Sequence, residues 1–290
     1  MTRYHQSRKI LKKSYFDYLL PRADEKDITE LLKGRKYVIL QDPPGTGKTR
    51  LANKILSEDY KQRGQVIQFH PNITYENFIG GLLPATQESN LGLHFSVKKG
   101  FLLNAIEMAQ AKPKEDYLLV IDEINRGDLA SVLGEAIYGL EPNEQRSIQL
   151  PYDFGGNIGE NVEFPSNLHL LGTMNTADRS ISVMDIAIRR RFAFKIIWPD
   201  FTVVEKLGDS ITKEAFQELL EIFIDYAPDD SFNLFPGHSY FIKSDNLDSI
   251  TNLKTNLVPL LEDYLSQGYV NSFADQLYSY LQKIQQLRSE

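Results

Sequence analysis

The segment Gln41-Asp42-Pro43-Pro44-Gly45-Thr46-Gly47-Lys48-Thr49 places small residues ahead of a lysine and a hydroxyl. That arrangement suits a chain of phosphates. Small residues let backbone N–H groups curl around the anion, and a helix that starts there adds positive potential at the same point. In such a loop Lys48 reaches the β- and γ-phosphates, and the Thr49 hydroxyl ligates Mg²⁺. Pro44, Gly45, Thr46, Gly47, Lys48, Thr49 and Arg50 are the expected nucleotide contacts. The substrate is then a nucleoside triphosphate. One position departs from the usual loop: Asp42 stands where the motif begins with glycine. Aspartate tolerates unusual φ better than most residues, so the loop conformation survives, but a carboxylate is brought near the phosphates.

Further along, Tyr117-Leu118-Leu119-Val120-Ile121-Asp122-Glu123 is an apolar run that ends in two carboxylates. Asp122 is assigned to the metal, through its water shell, and Glu123 to polarising the attacking water. Neighbouring residues on a strand point to opposite sides, which separates the two roles. Next comes Gly172-Thr173-Met174-Asn175-Thr176-Ala177-Asp178-Arg179-Ser180, at the end of another apolar run. Asn175 can hydrogen-bond the γ-phosphate or the lytic water, and Asp178 can orient the same water. Both residues would serve equally as caps of a loop-to-helix turn. Arg189-Arg190-Arg191 follows Asp185. An arginine supplied across a subunit interface stabilises charge in phosphoryl transfer, and Arg190 and Arg191 are the candidates; a solvated face is the plainer reading. The catalytic set is thus Glu123, Asn175, Asp178, Arg190 and Arg191, and the metal set Thr49 and Asp122.

These residues need a scaffold of strands and helices in alternation. Tyr37–Leu40, Val66–Phe69, Tyr117–Ile121, Leu168–Gly172 and Phe192–Ile197 read as strands, with helices over Thr49–Tyr60, Phe101–Ala111 and Asp128–Leu140. The continuous apolar run at 117–121 is what a strand covered on both faces requires. Strands alternating with helices predict an α/β fold with a parallel sheet between helical layers. Residues 1–32 read as a helical extension, with Ile10, Leu11, Tyr15, Tyr18 and Leu19 at helical spacing among basic residues. The core spans 33–199, with a β-hairpin insertion near 142–165. After Pro199 the strands stop, and 200–290 reads as a helical domain.

Composition excludes several classes. The chain has 290 residues and no cysteine, which removes disulfides, thiol catalysis and cysteine-based metal sites. No run approaches the roughly 18 apolar residues of a membrane span, and Arg8, Lys9, Lys12 and Lys13 interrupt the first apolar residues, so neither membrane nor export is expected and the cytoplasm is. The five histidines show no metal-ligand spacing. With 32 Lys plus Arg against 39 Asp plus Glu, the net charge is −7. Isolated, such a chain is expected to bind duplex DNA weakly and with strong salt dependence, through the basic residues Arg3, Arg8, Lys9, Lys12 and Lys13.

Taken together, Pro43–Thr49, Phe69-His70-Pro71, Tyr75–Gly81, Asp122-Glu123-Ile124-Asn125-Arg126, Met174–Ser180, Arg189–Phe192 and Gly237-His238-Ser239-Tyr240-Phe241 resemble the McrB-like motor subunits of modification-dependent restriction systems, within the dynein-related and MoxR-like AAA+ group. The resemblance covers about residues 30 to 290. It implies an αβα P-loop NTPase domain with a helical lid, and a self-assembled ring, a hexamer, with nucleotide between neighbours. GTP or ATP would be the substrate and Mg²⁺ the cofactor. It also implies an McrC-like nuclease partner, and DNA engaged through the assembled complex. Only residues 1–32 precede the motor, so recognition of modified bases is expected on another subunit or outside this chain. Two other readings compete: a MoxR-like ATPase that remodels proteins, and a nucleotide-gated scaffold in which Asp42 weakens turnover.

Overall fold

The computed structural model describes residues 23–84, 95–142, 144–176, 184–243 and 247–288. Two compact units are present. One holds Asp24–Gln41 and Lys48–Lys195; the other gathers Asp42–Gly47 with Ile196–Glu290.

The first unit runs α1 (Glu25–Arg35), β1 (Tyr37–Asp42), α2 (Lys48–Glu58), β2 (Gly64–Gln68), α3 (Tyr75–Phe78), β3 (Gly80–Pro84), β4 (Phe95–Lys99), α4 (Phe101–Gln110), β5 (Tyr117–Asp122), α5 (Leu129–Leu133), α6 (Ala136–Gly139), β6 (Ser147–Gln149), β7 (Asn161–Glu163), β8 (Leu168–Asn175), α7 (Ile186–Arg189) and β9 (Ala193–Ile196). The central sheet has the order β2-β5-β8-β1-β9. β2 and β8 both run parallel to β5, which lies between them.

Strand alternation divides the core. Tyr37, Ile39, Leu119, Ile121 and Leu170 join a cluster with Leu102, Leu103 and Ile106 of α4. The intervening Val38, Leu40, Leu118 and Val120 are equally buried. α1 and α2, with Ile28, Leu32, Ala52 and Ile55 inside, pack against β8. Both faces of the central strands β1, β5 and β8 are therefore dry, which is why those strands read as apolar runs, while edge strand β2 stays partly exposed. α1 is pinned at its start by a capping box, in which Asp24 accepts from the Asp27 N–H and Asp27 from the Asp24 N–H.

Two local expectations change. The helix read over 128–140 is two short helices, α5 and α6, broken at Gly134. A second antiparallel hairpin, β3 with β4, was not expected from the sequence. Gly80, Gly81 and Pro84 in β3 suppress any strand signal there. Between Pro142 and Pro165, β6 and β7 pair antiparallel, with Ile148 opposite Val162 and both buried.

The second unit carries α8 (Phe201–Leu207), α9 (Ser210–Tyr226), α10 (Ser249–Asn252), α11 (Val258–Ser266) and α12 (Ala274–Gln286). Aspartates start three of these helices: Asp200 accepts from Thr202 N–H, Asp209 from Thr212 N–H, and Asp248 from Ile250 and Thr251 N–H groups. Its core is aromatic. Phe216 meets Phe235 and Phe241 edge-on at 5.3 and 5.0 Å, and Phe223 meets Phe235 and Phe273 at 5.1 Å each. α12 also supplies core: the buried Tyr280 hydroxyl donates to Ala215 O at 2.9 Å. Among the described residues no helix is long and apolar enough to cross a membrane.

Candidate nucleotide site

β1 delivers the chain to the loop 43–47, and α2 begins at Lys48. Left-handed backbone in the loop falls on Gly45 (φ 85°) and Gly47 (φ 82°), where no Cβ opposes it. Asp42 is not among the residues with positive φ, so the glycine missing there imposes no backbone strain. Its carboxylate is fully buried at the end of β1 and does not stand open in the loop. Within the second unit the loop is braced from outside. The Gly237 N–H donates to Pro44 O at 2.8 Å and the Ser239 N–H to Gly45 O at 2.9 Å. A Cβ on Gly237 would lie 2.0 Å from the Gly45 carbonyl carbon, so glycine is required for that approach.

The carboxylates sit at the ends of neighbouring strands. The register sets Gln68 opposite Asp122, and Ile121 opposite Gly172, which brings Thr173 beside Asp122. Thr49 Oγ1 donates to Asp122 Oδ1 at 2.9 Å, and Thr173 Oγ1 donates to the same oxygen at 2.5 Å. Thr49 and Asp122 set hard oxygen atoms side by side, the donor chemistry Mg²⁺ prefers, so the residues fit the ion, with Thr49 as a direct ligand and Asp122 acting through the ion's water shell.

β5 ends at Asp122, and Glu123 adopts a left-handed conformation, φ 54° and ψ 43°. For a non-glycine residue this costs roughly 1–2 kcal/mol. The Glu123 N–H donates to Thr173 Oγ1 at 3.1 Å, which helps hold the turn. It is this turn, not strand alternation, that gives the two carboxylates different partners. Glu123 Oε2 accepts from Gln68 Nε2 at 3.2 Å and pairs with Arg126 Nε at 2.8 Å. Asn125 Nδ2 donates to Asn175 O at 3.3 Å and ties the end of β8 to the same turn. The Asn175 backbone is thereby tied to the turn that follows the carboxylates; Asp178 lies outside the described residues, as do Arg3, Arg8, Lys9, Lys12 and Lys13.

The arginines separate by environment. Arg190 is exposed just after α7. Arg191 is buried, and its Nη1 donates to Ala187 O at 2.6 Å. Burial first, then repulsion from Arg190, holds the Arg191 guanidinium below the usual arginine range. Arg191 is placed to fix the turn that presents Arg190. Sequence reasoning passed over Gln68, Thr173 and Arg126. Their signal was weak: a polar residue closing β2, a hydroxyl late in an apolar strand, and an arginine three residues after Glu123.

Burial lowers the Lys48 ammonium to about 8, against the raising effect of Asp122 and then Glu123. Triphosphates are fully ionised above that pH, so Lys48 is the group whose charge changes. With Lys48 as the phosphate ligand, affinity should decline above its free-protein pKa, by about tenfold from pH 7 to pH 9. Nucleotide titrations across that range test this; an affinity flat to pH 9 would separate binding from the Lys48 charge.

A phosphate loop between β1 and α2, with the Thr49–Asp122 pair and a displaced glutamate at the strand ends, defines a P-loop nucleotide-binding domain of the α/β class. Residues 37–192 match the AAA domain (dynein-related subfamily), and the chain belongs to that family. It is 33% identical over 271 residues to the "Type IV methyl-directed restriction enzyme EcoKMcrB subunit" of Escherichia coli (strain K12), covering 86% of this chain and 58% of that protein. It is 25% identical over 192 residues to the "Type II restriction enzyme BsuMI component YdiS" of Bacillus subtilis (strain 168), covering 55% of this chain and 56% of that one. The matches span somewhat over half the length of each relative. The chain is McrB-like, as its motifs imply.

Proposed function

We propose that this chain hydrolyses GTP or ATP with Mg²⁺ as the AAA+ motor subunit of a McrBC-like DNA restriction and phage-defence complex. The observation that carries the reading is the cluster Thr49–Asp122–Thr173–Glu123, in which a metal-fitting oxygen pair and a separately aimed carboxylate stand together. The nucleotide-binding core is 33–199 and the helical lid 200–290. Backbone N–H groups of the loop, with Lys48 and Arg50, hold the phosphates. Thr49 directly, and Asp122 through the water shell, would hold Mg²⁺, whose charge would offset that of the phosphates. Glu123 takes the proton of the attacking water, and Asn175, with Asp178, orients that water or the γ-phosphate. Arg190, with Arg191 behind it, reaches a neighbour's nucleotide in a hexameric ring.

Restriction is favoured over protein remodelling because both relatives are named as parts of restriction enzymes. The partner is then an McrC-like nuclease, which the ring activates while it translocates DNA in the cytoplasm. The test is phosphate release from GTP and from ATP, with Mg²⁺, with and without that nuclease subunit. Turnover that rises when the nuclease is added is the expected result. No release from either nucleotide under any combination would leave only the scaffold reading, and stimulation by protein substrates alone would favour the MoxR-like one.

A further inference from the structure

The Gly237-His238-Ser239-Tyr240 run has no part in the mechanism above, yet it is fastened to the phosphate loop inside one compact unit. The residues on either side of His238 both donate backbone N–H bonds to the loop, Gly237 to Pro44 O and Ser239 to Gly45 O. The imidazole is thereby carried to Gly47: a Cβ built on that glycine would lie 3.7 Å from His238 Nε2. The other ring nitrogen is spoken for. His238 Nδ1 accepts from the Asp200 N–H at 3.2 Å, and Asp200 is itself fixed as the residue that starts α8. A ring nitrogen that accepts carries no proton, so the neutral ring bears its hydrogen on Nε2.

We propose that His238 is a nucleotide-contacting residue, whose Nε2–H donates to the phosphate chain wrapped by the loop 43–47. This rests on the phosphate-loop reading of Pro44–Thr49. Three features support it. The donor is oriented by a second bond at Nδ1, its backbone is fixed on both sides, and it stands against the loop glycine whose left-handed φ turns the backbone around the anion. A neutral imidazole supplies direction without charge, which complements the ammonium of Lys48.

Two conservative variants separate this role from a structural one. His238→Gln keeps a donor where Nε2 stands and gives up the Nδ1 acceptor. His238→Asn keeps an acceptor where Nδ1 stands and gives up the Nε2 donor. Non-hydrolysable GTP and ATP analogues are titrated into the full chain, and the melting temperature of the nucleotide-free protein is recorded. His238→Asn should weaken binding by roughly tenfold or more, on the scale of a hydrogen bond to a charged group, with an unchanged melting temperature. His238→Gln should bind close to wild type despite a lowered melting temperature. Equal affinity in all three proteins, equal loss in both variants, or the reverse order overturns the proposal. Lys48→Ala serves as the reference. If it loses binding while the His238 variants do not, this inference alone fails; if it also binds like wild type, the phosphate-loop reading has failed.

Discussion

Lys48→Ala is expected to abolish triphosphate binding or nearly so, a loss of roughly 10² or more on the scale of charge-assisted bonds to phosphate. Lys48 is the first residue of α2, where the helix end already favours anions. Its ammonium is the mobile cation of the loop, and the carboxylates of Asp122 and Glu123 act on it electrostatically. Without it the phosphates lose their cationic partner at the start of α2, while the Asp122 and Glu123 carboxylates remain. The fold should not suffer, because burial already works against this charge in the free protein. Titration with a fluorescent triphosphate analogue, beside a melting curve, reads both quantities. Unchanged affinity would remove the loop 43–49 from the nucleotide site.

How much of this was legible beforehand depended on where the information lies in the chain. The sheet was readable because both faces of its central strands are buried, which writes them as apolar runs such as 37–40 and 117–121. The phosphate loop was readable because its chemistry needs residue types at fixed local spacing. What escaped was set by contacts between distant segments. Gln68 reaches Glu123 only because β2 lies parallel to β5 in that register, and Thr173 reaches Asp122 only through β8. The left-handed turn at Glu123 has no local sequence marker, since glutamate is a poor residue for it. The run at Gly237 reads as a motif in the sequence, but its role in bracing the loop follows from a contact across about two thirds of the chain. The β3–β4 hairpin was hidden by glycines and a proline that ordinarily argue against a strand.

Glu123→Gln should leave nucleotide binding intact while hydrolysis falls by 10² or more, roughly the scale of general-base loss. Binding survives because Lys48, Thr49 and Asp122 are untouched and the amide keeps the shape of the side chain. Catalysis does not, because an amide cannot take the proton of the attacking water. The Arg126 pair makes the point sharper: Oε2 of Glu123 is held at 2.8 Å from Arg126 Nε and 3.2 Å from Gln68 Nε2, and an amide oxygen can still accept both bonds. The variant therefore isolates charge and basicity from position. Phosphate release and nucleotide affinity, measured on the same preparation, separate the two. Persistent turnover would place the water under other control, that of Asn175 and Asp178. The same variant also tests where Arg190 acts. Subunits carrying Arg190→Ala and subunits carrying Glu123→Gln should each be inactive alone. Mixed into one ring, some interfaces would join an intact glutamate to an intact arginine from the neighbour, and activity should partly return. No recovery at any ratio, with co-assembly shown, would confine Arg190 to its own subunit.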